Sequence, residues 1–285
     1  MWRDMKKIAI YGKGGIGKSS IAANITAAMA RSGKKVLQIG CDPKADSTRL
    51  LTNKKIPTVL DKLNESEKEL TIDDIVFPSR LPGVTCIEAG GPHAGVGCAG
   101  MGITAMENEL QRLHVFQMDW DVVIYDVLGD VVCGGFAVPM RNHFADQVYI
   151  ITSSDYMSLY AANNILRAVE YYFYGGARLA GGLIWNHVRG AQDREIAESF
   201  AKRTETQIAS WIPESEMFRK QDFSGRLIGE SEPDSEIGLI FRGLAEQMLR
   251  DAEEDKRARP MSDDELEEWR RMLLQSASIC GREGT

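Results

Sequence analysis

Residues Gly12-Lys13-Gly14-Gly15-Ile16-Gly17-Lys18-Ser19 fit the pattern G-x-x-x-x-G-K-[ST], whose chemistry is phosphate binding. The glycines let the backbone curl so that successive N–H groups point at phosphate oxygens. Lys18 supplies a cation for the β- and γ-phosphates of a nucleoside triphosphate, and the Ser19 hydroxyl is placed to ligate Mg²⁺. Such a loop needs a strand before it and a helix behind it. Ile8-Ala9-Ile10 predicts a short buried strand, and Ala-rich Ile21–Ala30 a helix whose N-terminus faces the phosphates. The whole stretch through Ser20 is therefore assigned to MgATP or MgADP.

Other strands end in carboxylates. Val36–Ile39 runs into Gly40-Cys41-Asp42-Pro43-Lys44-Ala45-Asp46-Ser47, and Val122–Tyr125 delivers Asp126. Carboxylates at the carboxyl ends of parallel strands lie where ligands bind. Asp42 is suited to contact Mg²⁺ or orient an attacking water. Asp46 is suited to the metal's water shell, or to capping the next turn. Asp130 follows Asp126 and can sense the γ-phosphate. The same segment continues to Cys133, which ties the nucleotide to a cysteine. A second cysteine, Cys98, lies in the glycine-rich run Ala89–Gly102. Glycines there permit close backbone approach and free N–H groups to point at sulfur.

The chain has 285 residues, 44% hydrophobic and 26% charged, as in an ordinary globular protein. Its 34 basic and 41 acidic side chains give a net charge of −7, which argues against nucleic acid or an anionic membrane as partner. Neither a secretory start nor a membrane-length apolar run is present, so a cytoplasmic protein is expected. Five scattered cysteines are no disulfide framework. Cys41 and Cys86 read as packing residues and Cys280 as a free thiol. The four histidines lack metal-ligand spacing. Strands at Val84–Glu88, Gln147–Thr152, Leu183–Trp185 and Gln207–Ile212 alternate with helices at Ile103–Met118, Leu159–Tyr172, Glu195–Arg203 and Ile237–Leu249. Short surface helices are expected within Asn53–Ile75. The pattern predicts an α/β fold: a doubly wound, mainly parallel sheet with helices on both faces. Residues 1–250 form the expected phosphate-loop ATPase domain, which also holds Cys98 and Cys133. Residues 251–285 form a helical tail, opened by a capping box at Ser262–Glu265 and striped by Leu266, Trp269 and Leu273.

Lys13 is not needed to cradle phosphate from its own chain. Its position resembles the deviant Walker A signature of dimeric ATPases that include the nitrogenase iron protein and the MinD and ParA positioning ATPases. That resemblance implies a lysine reaching across a dimer to the partner's nucleotide. The cysteines lead to the same symmetry. A [4Fe–4S] cluster normally takes four thiolates; one chain offers two suitable cysteines, and a twofold dimer offers four. In Ala9–Ser19, Gly40–Arg49, Gly95–Gly100 and Tyr125–Phe136 the chain closely resembles the nitrogenase iron protein family, over roughly residues 6 to 250. The resemblance implies one cluster shared by Cys98 and Cys133 of both subunits. It implies MgATP service by Lys13, Lys18, Ser19, Asp42, Lys44, Asp46, Asp126 and Asp130, catalytic roles for Lys13, Asp42 and Asp130, and Asn186 and the region of Pro213 beside adenine. It also implies a homodimer, a larger catalytic partner, and ferredoxin or flavodoxin as electron source.

Two departures bear on the partner. Met101 stands where nitrogenase members of the family usually carry an arginine, three residues after the first cluster cysteine. After Trp185 the wording Asn186-His187-Val188-Arg189 and Pro213-Glu214-Ser215 also drifts. These point to a nitrogenase-like system reducing a tetrapyrrole or a methylthio-alkane, with a dinitrogen-reducing enzyme as the alternative. A positioning ATPase would have no use for Cys98 and Cys133. A cluster-assembly scaffold would usually space its cysteines closely.

Overall fold

The computed structural model describes residues 5–66, 68–92, 100–129, 138–140, 144–172, 181–250 and 257–275. Its strands are β1 (Lys6–Gly12), β2 (Val36–Cys41), β3 (Phe77–Pro78), β4 (Val84–Glu88), β5 (Val122–Val127), β6 (Gln147–Thr152), β7 (Gly182–Val188) and β8 (Ile208–Pro213). They form one sheet in the order β3-β4-β2-β5-β1-β6-β7-β8. Every pairing is parallel except that of β3 with β4. The helices are α1 (Lys18–Arg31), α2 (Arg49–Thr52), α3 (Val59–Glu65), α4 (Ile72–Ile75), α5 (Gly100–Arg112), α6 (Tyr156–Tyr172), α7 (Ala191–Arg203), α8 (Glu216–Ser224), α9 (Ile228–Ser231), α10 (Glu236–Leu249) and α11 (Asp263–Gln275).

The sheet is buried on both faces, and this explains the unbroken apolar strands. In β1, Ala9 and Tyr11 face one core with Tyr125 of β5, Ile103 of α5, Ile165 of α6 and Phe200 of α7. Ile8 and Ile10 face the other, against Ile21 and Ile25 of α1 and Phe241 of α10. The doubly wound fold expected from the alternation of elements is the observed one.

The departures have local causes. The helix expected over Ile103–Met118 stops at Arg112, because His114 adopts a left-handed φ of 54° and starts a separate 3-10 turn at Val115–Gln117. Strand β3 is two residues long and contains a proline, too short to leave a periodic signal. Helix α8 was not foreseen. Its cap is Ser215, whose hydroxyl accepts the Met217 N–H at 3.2 Å. In α3 and α4, Val59 and Ile75 are buried rather than superficial.

The capping box at the tail forms as expected. Ser262 N–H donates to Glu265 Oε2 at 2.8 Å, and Glu265 N–H donates to Ser262 Oγ at 3.2 Å. Leu266 and Trp269 of α11 are buried in the core that contains Phe200, and the Trp269 indole donates to Ser199 Oγ at 2.9 Å. Among the described residues no helix is long and apolar enough to cross a membrane.

Candidate functional site

The carboxyl ends of β1, β2, β5 and β7 meet at one edge of the sheet. Register brings them level: Ile10 and Gly40 both pair with Asp126. From β1 the chain crosses to β2 on one side of the sheet and from β5 it crosses to β6 on the other, and such a switch point opens a crevice for ligands.

The phosphate loop leaves β1 and enters α1. Gly17, with φ 88°, makes the turn into the helix, a left-handed geometry that a side chain would strain. Asn186, at the end of β7, donates from Nδ2 to the Ile16 carbonyl at 2.7 Å. A Cβ on residue 17 would lie 2.9 Å from that same nitrogen. Asn186 therefore pins the loop from across the sheet. The first turn of α1 has no side-chain cap and no acidic residue, so its N–H groups remain for an anion.

Lys18 is buried and its ammonium meets Asp126 Oδ1 at 2.5 Å. The other Asp126 oxygen is buried and has no hydrogen-bond partner. A half-satisfied buried carboxylate is costly unless something else engages it. A loop of converging N–H groups, a buried lysine and an incompletely satisfied aspartate fit a triphosphate with its metal. Gly129, just after β5, packs on this loop: a Cβ there would lie 1.7 Å from the Gly12 carbonyl oxygen.

Asp42 is buried and its Oδ1 accepts the Lys44 N–H at 2.9 Å. Lys44 and Asp46 are exposed, and Lys13 is half-buried. Ala45 between them holds a left-handed φ of 52°. Thr48, not Asp46, precedes α2; Asp46 instead accepts the Arg49 N–H through its carbonyl at 3.3 Å. Ser19, Ser20 and Asp46 line a cavity of about 480 Å³ with Arg49, Asp222 and Phe223. Pro213 lies apart from these groups, at the end of β8. It lines a second cavity of about 410 Å³ with Arg194, Trp211 and Glu236. Asp130, Cys98 and Cys133 lie outside the described residues, as do His93 and Cys280.

Cys41 and Cys86 are the packing residues expected. Burial pushes the Cys86 thiol up to about 12, with Glu88 adding to the effect. Cys41 is raised further by burial, then by Asp126 and Glu88, while Lys18 opposes.

Sequence reasoning passed over Glu88, Gln38 and Arg80. Glu88 ends β4 fully buried and accepts both the Thr48 N–H and the Thr48 hydroxyl on Oε1, each at 2.7 Å. Burial is the main cause that pushes its carboxyl up to about 7. The Thr48 hydrogen bonds oppose, and Asp126 and Asp46 reinforce. Gln38 is buried in β2, accepts the Thr26 hydroxyl at 2.7 Å and donates to the Ser47 carbonyl at 3.1 Å. Arg80 pairs with Glu230 and donates to the carbonyls of Leu50 and Gly225, both at 3.1 Å. The signal for Glu88 was the one used for Asp126, a carboxylate closing an apolar strand.

The profile of the 4Fe-4S iron sulfur cluster binding proteins, NifH/frxC family, matches residues 6–276. The chain is 49% identical over 266 residues to nitrogenase iron protein 2 of Methanothermobacter thermautotrophicus, covering 93% of this chain and 97% of that one. It is 44% identical over 281 residues to the nitrogenase iron protein of Methanospirillum hungatei, covering 97% and 99%. Among solved structures, the cell division ATPase MinD of Pyrococcus furiosus superposes with a TM-score of 0.66 at 19% identity, covering 85% of this chain and 98% of that one. The MinD of Pyrococcus horikoshii, complexed with Mg-ADP, gives 0.65 at 18%, covering 85% and 95%. At that identity the likeness is one of fold. Matched along nearly its whole length, the chain belongs to the 4Fe-4S iron–sulfur cluster binding proteins of the NifH/frxC family.

Proposed function

We propose that this chain is the ATP-hydrolysing electron donor of a nitrogenase-like reductase. It works as a homodimer on a larger catalytic component that reduces a methylthio-alkane or a tetrapyrrole, and it draws electrons from ferredoxin or flavodoxin. One observation carries the reading. Asp126, paired with Lys18, and Gly129, packed against Gly12, form the floor of the phosphate loop. The same backbone reaches Cys133 a few residues later.

The chain's own residues perform the nucleotide steps. The N–H groups of Gly12–Ser20 bind phosphate oxygens. Lys18, paired with Asp126 in this structure, would turn to the β- and γ-phosphates, and Ser19, Asp46 and Asp126 would hold the magnesium, which neutralises phosphate charge. Asp42 orients the attacking water, Lys13 reaches the partner's nucleotide, and Lys44 lies beside it. Asn186 and Pro213 flank the base. Asp130 reads the γ-phosphate and passes its state along the segment to Cys133. The [4Fe–4S] cluster held by Cys98 and Cys133 of both subunits supplies a one-electron store.

Met101 supports a partner other than a dinitrogen-reducing one, since it is 58% exposed and presents an apolar surface in place of a charge. The competing reading, dinitrogen reduction, is favoured by the names of the relatives above. The test is to mix the anaerobic, reduced dimer and MgATP with each candidate catalytic component. Reduction of a tetrapyrrole or methylthio-alkane enzyme is the expected result. Reduction of a dinitrogen-reducing component alone would replace it.

A further inference from the structure

Three strand ends stand level above α1: Glu88 of β4, Gly40 of β2 and Asp126 of β5, since Gly40 pairs with both. Registered neighbours in a parallel sheet project on the same face. Gly40, lacking a side chain, leaves the space that the Glu88 carboxyl fills. A Cβ on residue 40 would lie 2.0 Å from Glu88 Oε2 and 2.7 Å from Ser47 Cβ. Glu88 Oε1 takes both Thr48 donors, and Oε2 is buried with no partner. Packing alone gives no reason for a carboxylate here, because an apolar side chain would avoid the cost of burying charge.

The backbone on either side of Glu88 makes the connection longer. Ala89 N–H donates to the Gly40 carbonyl at 2.8 Å. A Cβ on Gly91 would lie 2.5 Å from Pro43 Cβ, inside the Asp42–Ser47 turn. A Cβ on Gly102, at the start of α5, would lie 2.1 Å from the Gly90 carbonyl oxygen. The two ends of the segment that holds Cys98 are thus both rooted on residues packed against that turn.

We infer that Glu88 is a positioning residue that clamps the Asp42–Thr48 turn to the root of the Cys98 segment, giving this cysteine its own line to the nucleotide. The clamp rests on the reading of the chain as an ATP-coupled iron protein. It is separate from the Asp126–Cys133 segment, which joins the nucleotide to the other cysteine. Displacement of the turn by the metal and γ-phosphate pulls on Thr48, and Glu88 transmits the pull to residues 89–91.

The test uses the anaerobic, cluster-loaded dimer and the rate at which an iron chelator strips it, with and without MgATP. Wild type, Glu88→Leu, Thr48→Val and Thr48→Ser are compared. Glu88→Leu, which removes the acceptor of both Thr48 hydrogen bonds, should keep about four irons per dimer and bind MgATP within about twofold of wild type. Its MgATP-dependent change in chelation rate should fall by about tenfold. Thr48→Val should lose a smaller part of the response, and Thr48→Ser, which keeps the hydroxyl, should restore it. Wild-type responses in both Glu88→Leu and Thr48→Val overturn the clamp while leaving the proposed function intact. If Glu88→Leu fails to fold, the Thr48 pair decides: equal responses in valine and serine variants overturn the clamp. A wild-type dimer with no cluster, or with no nucleotide response, removes the function and the clamp together.

Discussion

The two cysteine-bearing segments leave the nucleotide site in different ways. One starts at Asp126, which touches Lys18 directly, and its Gly129 lies against the phosphate loop itself. The other starts at Glu88, whose carboxyl accepts both Thr48 donors and so meets the site through the Asp42–Ser47 turn. The first is a direct contact with phosphate-binding backbone. The second is a relay through a turn that carries a left-handed alanine between Asp42 and Asp46. The difference teaches that one sheet edge can report two events. On the proposed reading, phosphate occupancy is read along β5, and rearrangement of the Asp42–Ser47 turn along β4.

Breaking the shared origin should have the largest effect. Lys18→Met removes the cation from the loop and is expected to lower MgATP hydrolysis by about 10²–10³-fold, as for a lost electrostatic stabiliser. It also leaves Asp126 buried without its partner, at a cost of about 3–5 kcal/mol in the nucleotide-free state. Phosphate release and chemical denaturation check the two parts. A variant that hydrolyses MgATP normally would remove the phosphate loop from both segments.

Gly129→Ala tests the direct segment alone. The added methyl meets the Gly12 carbonyl, and the backbones must separate at a cost of about 3 kcal/mol. The nucleotide response of the iron centre should fall by about tenfold or more while the iron content holds. Retention of the full response would mean that the segment is read elsewhere than at Gly129.

Much of this was legible in the residue order, because each element carried its own physical mark. The phosphate loop shows in glycine spacing, and the buried strands show as apolar runs closed by carboxylates. Those marks are local. Glu88 escaped because its meaning depends on Gly40, forty-eight residues earlier: the register that sets them side by side exists only in the folded sheet. Asn186 was placed near the base, yet its observed bond is to the Ile16 carbonyl, a contact between β7 and the loop that no periodicity encodes. Helix α8 was hidden because only its capping serine and a single buried glutamine mark it.

Gly40→Ala tests the relay without touching the loop. Its methyl would enter the place of the Glu88 carboxyl, and the strain should cost about 2–3 kcal/mol. Thermal unfolding of the anaerobic dimer reads the cost. The nucleotide response should weaken less than in Gly129→Ala, because the direct segment survives. An equal loss in both variants would make the two segments one device.

The smallest expected effect is a slope. Burial raises the Glu88 carboxyl in the folded chain to about 7, with Asp126 and Asp46 reinforcing and Thr48 opposing. In the unfolded chain it titrates near the ordinary value for glutamate, about 4.3. The folded state therefore binds the proton more tightly. Its contribution is present in full below the unfolded value and is lost as pH rises through about 7. The loss over that window is of order 2–3 kcal/mol. Glu88→Gln carries no such proton, so its stability should fall less steeply between about pH 5 and 7 than that of wild type. Equilibrium unfolding across that window gives both slopes. Parallel curves would mean that Glu88 is already ionised in the folded chain, and that the Thr48 hydrogen bonds outweigh its burial.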